Sequence, residues 1–384
     1  MTVEPFTVRV DDEVLDDLRQ RIRRTRWPDQ VPDIDWRQGT ELSYLRSLLD
    51  YWADGFDWRT QERELNRYHH VLVEIDGVRV HAVHERAQHG TGLPLILSHG
   101  WPSAFIEYLQ LVPYLTDPAA HGIDGPAFDV VIPSLPGYGF SERPARTGVN
   151  YRYVAGLWHR LMNELGYSRY GAHGGDFGSG VAALMALDNP APVIGIHLSN
   201  LDIGPEPLPG SARLTQAEEA YLTLRSAWDD AERGYSAIQS TKPQTLGYGL
   251  TDSPAGLAAW IMEKWRSWTD SGGDLDSRFS RDFLLTLLTI YWATRTITPS
   301  MRDYYDNRWH RVELGPDDRI RVPTGIALFA HQFVFEGEPP REWVERRYDV
   351  HRWTPMPRGG HFAPAEEPEL VARDIAAFFG SLPG

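Results

Sequence analysis

The sequence predicts an α/β protein in which helices cover both faces of a mostly parallel sheet, with a helical lid and an N-terminal arm added to that core. Short, continuous apolar runs alternate with helical segments, which is typical of parallel strands buried on both faces. From about Asn200 to Asp306 the chain is helical and aromatic, and no run there resembles a strand. Before about residue 68 the chain is polar, rich in tryptophan and free of strand-like alternation.

These changes in pattern divide the chain. The predicted divisions are an arm over residues 1–68 that packs on the core and the lid, a first part of the core over 69–199, the lid over 200–306 and a second part of the core over 307–384. Helices are expected in the arm over Asp11–Arg24 and Gly39–Ala53, because apolar residues recur there at helical spacing. A lid inserted into an α/β pattern would lie over the strand ends, where such sheets bind ligands.

The strand pattern of the core is regular. A hairpin begins at His70 and turns at Asp76-Gly77, a dipeptide typical of tight turns between alternating apolar residues. The buried strands that follow are predicted over Leu93–Ser98, Phe128–Ile132, Val193–Leu198, Pro323–Ala330 and Val350–Trp353. Further helices are predicted over Tyr151–Leu165, Trp343–Arg347 and Glu367–Phe379.

Composition narrows the class of protein. With 38 basic and 53 acidic residues among 384, the net charge is −15, which disfavours nucleic acid and anionic membranes as partners. The chain has no cysteine, so disulfides, thiolate catalysis and cysteine metal sites are excluded. We find no signal peptide and no stretch long enough to span a membrane, and therefore expect a soluble, cytoplasmic protein.

The stretch from Tyr170 to Leu187 predicts the end of a buried strand, a tight turn and the start of an apolar helix. At the turn, Gly174-Gly-Asp-Phe-Gly178 has the glycine–x–nucleophile–x–glycine spacing of a nucleophile elbow. The apex of such an elbow is strained, so the residues two positions away on each side must be nearly free of side chain. Here the apex is Asp176, a carboxylate. The alternative interpretation is a glycine-rich turn in which Asp176 caps the helix.

In this fold the nucleophile precedes an acid and then a histidine along the chain. His361 follows two glycines after the last predicted strand, which suits the histidine, although a surface-loop histidine would fit the same pattern. The acid should follow the strand that ends at Ala330. We prefer Glu336, which is nearer to the strand end and is followed by a glycine, and Glu338 is the alternative. A solvated loop acid would also explain either residue.

Two backbone donors are predicted beside the nucleophile. His99-Gly-Trp-Pro102 follows the strand expected next to the elbow, and the loop at this place supplies one N–H group of an oxyanion hole. The residue after the nucleophile supplies the other, so the donors would be the backbone N–H groups of Trp101 and Phe177. A buried aromatic residue at a strand end also describes Trp101, and both descriptions can hold because only its backbone is used.

An aspartate nucleophile restricts the chemistry. It forms an ester whose carbonyl carbon is then attacked by water, with His361 taking the proton from that water and Glu336 holding the imidazole. Such a carboxylate suits displacement at an sp³ carbon, which means an epoxide or a carbon–halogen bond. An opened epoxide needs proton donors for its alkoxide, whereas a leaving halide needs N–H donors.

Over nearly its whole length the chain resembles the microsomal-type epoxide hydrolases of the α/β-hydrolase fold, including their soluble bacterial and fungal relatives. The most specific part of the likeness is the lid run from Gln239 to Lys264. The other shared motifs are the arm from Phe6 to about Asp117, His99–Pro102, Gly174–Ser179, Tyr291-Trp292, Ser300–Asn307, Val322–Gly325 and Arg358–Phe362.

The resemblance implies roles for individual residues. By it, Asp176 is the nucleophile and His361 is the base. Two lid tyrosines, Tyr235 and Tyr304, are the donors to the epoxide oxygen, a choice that the sequence alone could not make among 17 tyrosines. It also implies that the protein uses no metal and no cofactor.

Three departures from the family pattern are visible. Gln332 occupies the position where the family's charge-relay acid aligns, which is a further reason to look to Glu336, four residues on. Ser103 follows His-Gly-Trp-Pro where glycine is usual, and we expect this change to be harmless. As a third departure, we see no counterpart of the membrane anchor of the microsomal members, and we therefore expect a soluble protein.

The resulting hypothesis is an epoxide hydrolase that adds water to a hydrophobic, bulky or aromatic epoxide and gives a vicinal diol, in detoxification or in natural-product biosynthesis. A haloalkane-type dehalogenase is one alternative, although Phe177 stands where a tryptophan often binds the halide. A degenerate hydrolase that only binds a ligand is another, because Gln332 leaves the acid in question. The identity of the substrate, the stereochemistry and a homodimeric state are left open.

Overall fold

A sheet of nine strands forms the centre of the computed structural model, which describes residues 3–205, 211–331 and 338–383. The strands within these ranges are β1 (Val3–Phe6), β2 (His70–Ile75), β3 (Val78–Glu85), β4 (Leu93–Ser98), β5 (Phe128–Pro133), β6 (Tyr170–Gly174), β7 (Val193–Leu198), β8 (Ile320–Leu328) and β9 (Tyr348–Pro355). Their order across the sheet is β1-β2-β3-β5-β4-β6-β7-β8-β9. Strand pairs from β1 to β5 are antiparallel, and all pairs from β5 to β9 are parallel. The predicted mostly parallel sheet is therefore confirmed.

Helices surround this sheet. Those that precede the lid are α1 (Asp12–Arg23), α2 (Leu42–Asp54), α3 (Trp58–Leu65), α4 (Val112–Thr116), α5 (Tyr151–Glu164) and α6 (Phe177–Asp188). Those of the lid are α7 (Gln216–Glu232), α8 (Gly234–Gln239), α9 (Pro243–Asp252), α10 (Pro254–Ser267), α11 (Leu275–Arg278), α12 (Arg281–Thr294) and α13 (Ile297–Trp309). The last three are α14 (Arg341–Glu345), α15 (Ala363–Glu366) and α16 (Pro368–Gly380).

The parallel strands bring three loops to one edge of the sheet. β6 lies between β4 and β7, at the middle of the parallel part, and every residue of β6 is buried. Asp176 follows β6, Trp101 follows β4 and His361 follows β9. Because the carboxyl ends of parallel strands share one edge, these residues meet there although they are far apart in the chain.

The arm contains a strand and a helix that its sequence did not predict. Residues Val3–Phe6 form β1, which pairs antiparallel with β2 at the edge of the sheet, and four residues are too few to show a periodic pattern. Residues Trp58–Leu65 form α3, whose first turn is capped by the carboxylate of Asp57, 3.0 Å from the N–H group of Arg59.

Two predicted boundaries were also wrong. Helix α2 begins at Leu42 and not at Gly39, because the Glu41 carboxylate caps it and accepts the N–H groups of Ser43 and Tyr44. Strand β8 begins three residues earlier than predicted, at Ile320, where its N–H group donates to the carbonyl of Arg347.

The arm packs on the lid through polar contacts around an apolar seam. The indole N–H of Trp52 donates to the hydroxyl of Thr289 at 2.9 Å, and the hydroxyl of Tyr51 donates to Asp282 at 2.8 Å. On α2, Leu48 and Leu49 are fully buried.

Within the described ranges, no helix combines the length and the apolar character needed to cross a membrane.

Candidate active site

Asp176 sits at a sharp bend between β6 and α6. Its backbone has φ of 49° and ψ of −132°, a strained conformation for a residue with a side chain. A Cβ atom on Gly174 would lie 2.2 Å from the carbonyl oxygen of Gly178, and one on Gly178 would lie 1.9 Å from that of Ser98. Both flanking positions therefore require glycine, as the elbow spacing predicts.

Two groups contact the two carboxylate oxygens of Asp176. The backbone N–H of Trp101 donates to Oδ1 at 2.8 Å, and Nε2 of His361 lies 3.3 Å from Oδ2. The His361 side chain is only 2% exposed, whereas the Asp176 side chain is 18% exposed. The carboxylate can thus be reached from the cavity described below, while the imidazole beside it is shielded. Phe177 follows directly as the first residue of α6.

His361 contacts Trp268, which follows lid helix α10. The backbone N–H group of His361 donates to the backbone carbonyl oxygen of Trp268 at 2.7 Å, and the two side-chain rings meet edge to face at a centroid distance of 5.0 Å. A Cβ atom on Gly360 would lie 2.6 Å from that same carbonyl oxygen. The loop that carries His361 (residues 356–362, the histidine loop) is therefore in close contact with the loop after α10 (residues 268–274, the lid loop).

Tyr235 and Tyr304 come together over the elbow. Tyr235 lies in α8 and Tyr304 in α13, and their ring centroids are 5.8 Å apart. The Trp101 ring stacks on Tyr235 at 5.5 Å and meets Tyr304 edge-on at 5.6 Å. Burial raises the pKa of both phenols, and the negative charge of Asp176 adds to the rise. Both hydroxyls therefore stay protonated and available as donors.

A cavity of about 480 Å³ opens onto these residues. Asp176, Phe177, Tyr235 and Tyr304 all line it. Its apolar wall is formed by residues such as Trp228, Ile326, Leu328 and Phe329. Charged residues line it as well, namely Asp202, Arg225, Asp229, Arg233, Arg308 and Glu338. The hydrophobic, bulky or aromatic epoxide expected from the sequence gave no indication of this charged part of the cavity.

Of the two candidates for the acid, Glu338 lies within the described residues and Glu336 does not. Glu336, and with it Gln332, lies outside the described residues. Glu338 is described; its side chain is exposed and lines the cavity. The assignment of the acid therefore stays a prediction.

Sequence reasoning missed two side chains that hold the site together. The amide oxygen of Asn200 accepts the N–H group of Asp176 at 2.6 Å and so ties the elbow to the end of β7. The carboxylate of Glu366 accepts the N–H groups of Gly360 and Phe362, on both sides of His361. For Asn200 the sequence held a weak signal, an asparagine two residues after a predicted strand. For Glu366 it held none, because the residue is one of two consecutive acids before a proline.

In the part of the chain that the structure describes, no group of three or more His, Asp or Glu side chains could hold a metal ion.

Comparison with known proteins points to one family. Residues 3–108 match the family described as "Epoxide hydrolase N terminus", and residues 94–265 match the alpha/beta hydrolase fold. Epoxide hydrolase 1 of Sus scrofa is 38% identical over 412 residues, which cover 99% of this chain and 89% of that protein.

Two solved structures show the same architecture. The juvenile hormone epoxide hydrolase of the silkworm Bombyx mori superposes with a TM-score of 0.89 at 30% identity, covering 99% of this chain and 94% of that one. The epoxide hydrolase of Aspergillus niger superposes with a TM-score of 0.86 at 26% identity, covering 100% and 97%.

Proposed function

Because this chain belongs to the epoxide hydrolase family and is therefore an α/β-fold hydrolase, we propose that it opens a hydrophobic epoxide through a covalent ester on Asp176. One observation carries the proposal. Asp176 presents one carboxylate oxygen to a backbone donor and the other to His361, beneath two phenols that line the same cavity. This arrangement supplies a nucleophile, a base and two acids around one point.

The first step forms the ester. Oδ2 of Asp176 attacks an epoxide carbon while the carbon–oxygen bond of the ring breaks, and Tyr235 and Tyr304 hydrogen-bond the leaving oxygen, which takes a proton from one of them. Oδ1 becomes the ester carbonyl oxygen. It already accepts the N–H of Trp101 at 2.8 Å, so that donor is in place for the charge that develops later.

The second step releases the diol. His361 takes a proton from water as the water oxygen bonds to the ester carbon, and the N–H groups of Trp101 and Phe177 stabilise the tetrahedral oxyanion. The bond from that carbon to Oδ2 then breaks, so Oδ2 leaves as an oxygen of the diol, and His361 gives its proton to the departing alkoxide. The water oxygen takes the place of Oδ2, and the proton of the new carboxyl group returns to the tyrosine that gave one up in the first step, which restores both residues. The acid that orients His361 is proposed to be Glu336, with Glu338 as the alternative.

The lining of the cavity bears on the substrate. We propose a bulky, mainly hydrophobic epoxide, because Phe177 and Trp228 offer aromatic surface in the cavity that also contains Asp176. The phenols above Asp176 favour an epoxide over a haloalkane, since an alkoxide needs O–H donors while a halide needs none that transfer a proton.

A single turnover in water enriched in heavy oxygen tests the covalent route. With enzyme in excess, the first diol should carry no label, and the peptide that contains Asp176 should gain it. Later turnovers should then deliver label to the diol. Label in the diol from the first turnover would show direct attack by water and would rule out the ester.

A further inference from the structure

Glu366 is a buried carboxylate for which the proposed reaction has no role. It ends α15, five residues after His361, and its side chain is fully shielded from solvent. Oε1 accepts the N–H groups of Gly360 at 3.1 Å and Phe362 at 3.2 Å. One oxygen atom thus fixes the backbone on both sides of His361.

The other oxygen reaches across to the lid. Oε2 of Glu366 accepts the N–H group of Asp270 at 2.8 Å, in the loop that follows α10. The Asp270 carboxylate in turn accepts the N–H group of Gly359 at 3.0 Å. Together with the hydrogen bond from His361 to the Trp268 carbonyl, these contacts join the histidine loop and the lid loop into one unit around Glu366.

Burying this carboxylate costs free energy, and a role in packing alone would not explain why a charged side chain occupies the position. Burial raises the pKa of Glu366 to about 7, although its three backbone hydrogen bonds and Arg278 oppose the rise. Arg278 approaches Oε2 only to 3.8 Å and hydrogen-bonds Glu367 instead. An amide side chain such as glutamine would be cheaper to bury, but it has one acceptor oxygen, whereas two oxygens of Glu366 accept three N–H groups.

We propose that Glu366 is a positioning residue that fixes the backbone of His361 against the lid, so that Nε2 faces Asp176 and the ester formed on it. The inference rests on the proposed function, because it assigns Glu366 to the water-activating half of that reaction. Asp176 can attack an epoxide without His361, whereas the ester cannot be hydrolysed without it. Loosening the loop should therefore slow one half-reaction only.

The test uses three variants of the full chain. Glu366→Ala removes both acceptor oxygens and with them the three hydrogen bonds. Glu366→Gln keeps the volume but turns an N–H₂ group toward one of the donors, and serves if the alanine variant does not fold. Glu367→Gln is the matched control, because its carboxylate accepts hydrogen bonds from the side chains of Arg278 and Arg358, whereas that of Glu366 accepts the backbone N–H groups on both sides of His361. With racemic styrene oxide as the probe, rapid quench and intact-protein mass follow ester formation and ester loss separately.

The expected result is a split between the two steps. In Glu366→Ala, ester hydrolysis should fall roughly 100-fold and ester formation should change less than about threefold, so that the alkylated enzyme accumulates. Glu366→Gln should show roughly a tenfold fall, and Glu367→Gln none. Equal slowing of both steps, or hydrolysis at the normal rate, would overturn the proposal.

A second readout requires no turnover. The ¹⁵N resonances of the His361 imidazole should move in Glu366→Ala and stay in place in Glu367→Gln, because only the first change frees the loop. Unmoved resonances would also overturn the proposal. A wild-type enzyme that forms neither ester nor diol would instead count against the proposed function, and the resonances would still decide the role of Glu366.

Discussion

Gly100 and Asp176 are so close that a Cβ atom on Gly100 would lie 2.2 Å from Oδ1 of Asp176. The same oxygen accepts the N–H group of Trp101, the next residue in the chain. The loop after β4 can therefore deliver its backbone donor to the carboxylate only if position 100 carries no side chain. An alanine here would displace the Asp176 side chain, since the added methyl group meets its Cβ and Cγ as well.

We accordingly expect Gly100→Ala to lower kcat/KM by roughly 100-fold or more, because the carboxylate must rotate away from both its donor and His361. Steady-state kinetics on styrene oxide measure this. Gly249→Ala is the control: it lies in α9 with nothing within 4 Å of the added Cβ, and should leave activity unchanged. Normal activity in Gly100→Ala would mean that the contact between these residues is not maintained in solution.

The paired phenols lead to a prediction about the first half-reaction. Tyr235→Phe and Tyr304→Phe should each slow ester formation roughly 10- to 100-fold and leave hydrolysis of the formed ester nearly unchanged. Because the pKa of both phenols is raised, ring opening in the wild type should persist up to at least about pH 9. Quenched single turnovers across this range measure both effects.

Tyr305→Phe is the matched control for this pair. It neighbours Tyr304 on α13, but its ring packs on Trp309 at 6.2 Å and not on the elbow. Equal slowing in the control variant, or an alkaline loss of ring opening below pH 9, would contradict the role assigned to the phenols.

The acid can be assigned by comparing two substitutions. We expect Glu336→Gln to slow ester hydrolysis by roughly 100-fold or more, since an imidazole without its carboxylate loses both its orientation and its partner charge. Glu338→Gln should retain the wild-type rate, because that side chain is exposed at the cavity wall. The opposite pattern would assign the acid to Glu338, and wild-type rates in both variants would contradict a carboxylate from this loop.

Two of the proposed site residues are marked in the sequence by local geometry or by chain order. Asp176 is recognisable because its flanking glycines cannot be replaced, and His361 because it follows the last strand. The change from strand to helix periodicity also predicts the division into core, lid and arm. Each of these signals can be found without knowing how distant segments pack together.

What the sequence did not show depends on packing between distant segments. Tyr235 and Tyr304 lie on different lid helices, and among 17 chemically identical side chains only the resemblance selected them. Glu366 and Glu367 are adjacent and of the same type, yet one binds three backbone N–H groups and the other binds arginines. They differ in which groups their carboxylates face, namely the backbone on both sides of His361 and of the lid loop for Glu366, and arginine side chains for Glu367.

The last prediction concerns Glu107, a buried carboxyl group in the 3₁₀ turn Phe105–Leu111. Burial raises its pKa to about 8, with further rises from the charges of Asp176 and Glu366. Between its unfolded pKa of about 4.3 and about 8, the folded protein keeps a proton that the unfolded chain releases, so the free energy of unfolding should fall as pH rises through that window. Glu107→Gln cannot ionise and should not show this fall. Between pH 5 and pH 9 the free energy of unfolding of the variant, measured by urea denaturation, should therefore rise relative to that of the wild type by on the order of 3 kcal/mol. Glu74→Gln, at an exposed position of β2, should track the wild type at both pH values. Parallel pH curves for Glu107→Gln and the wild type would show that this carboxyl group is ionised in the folded protein throughout.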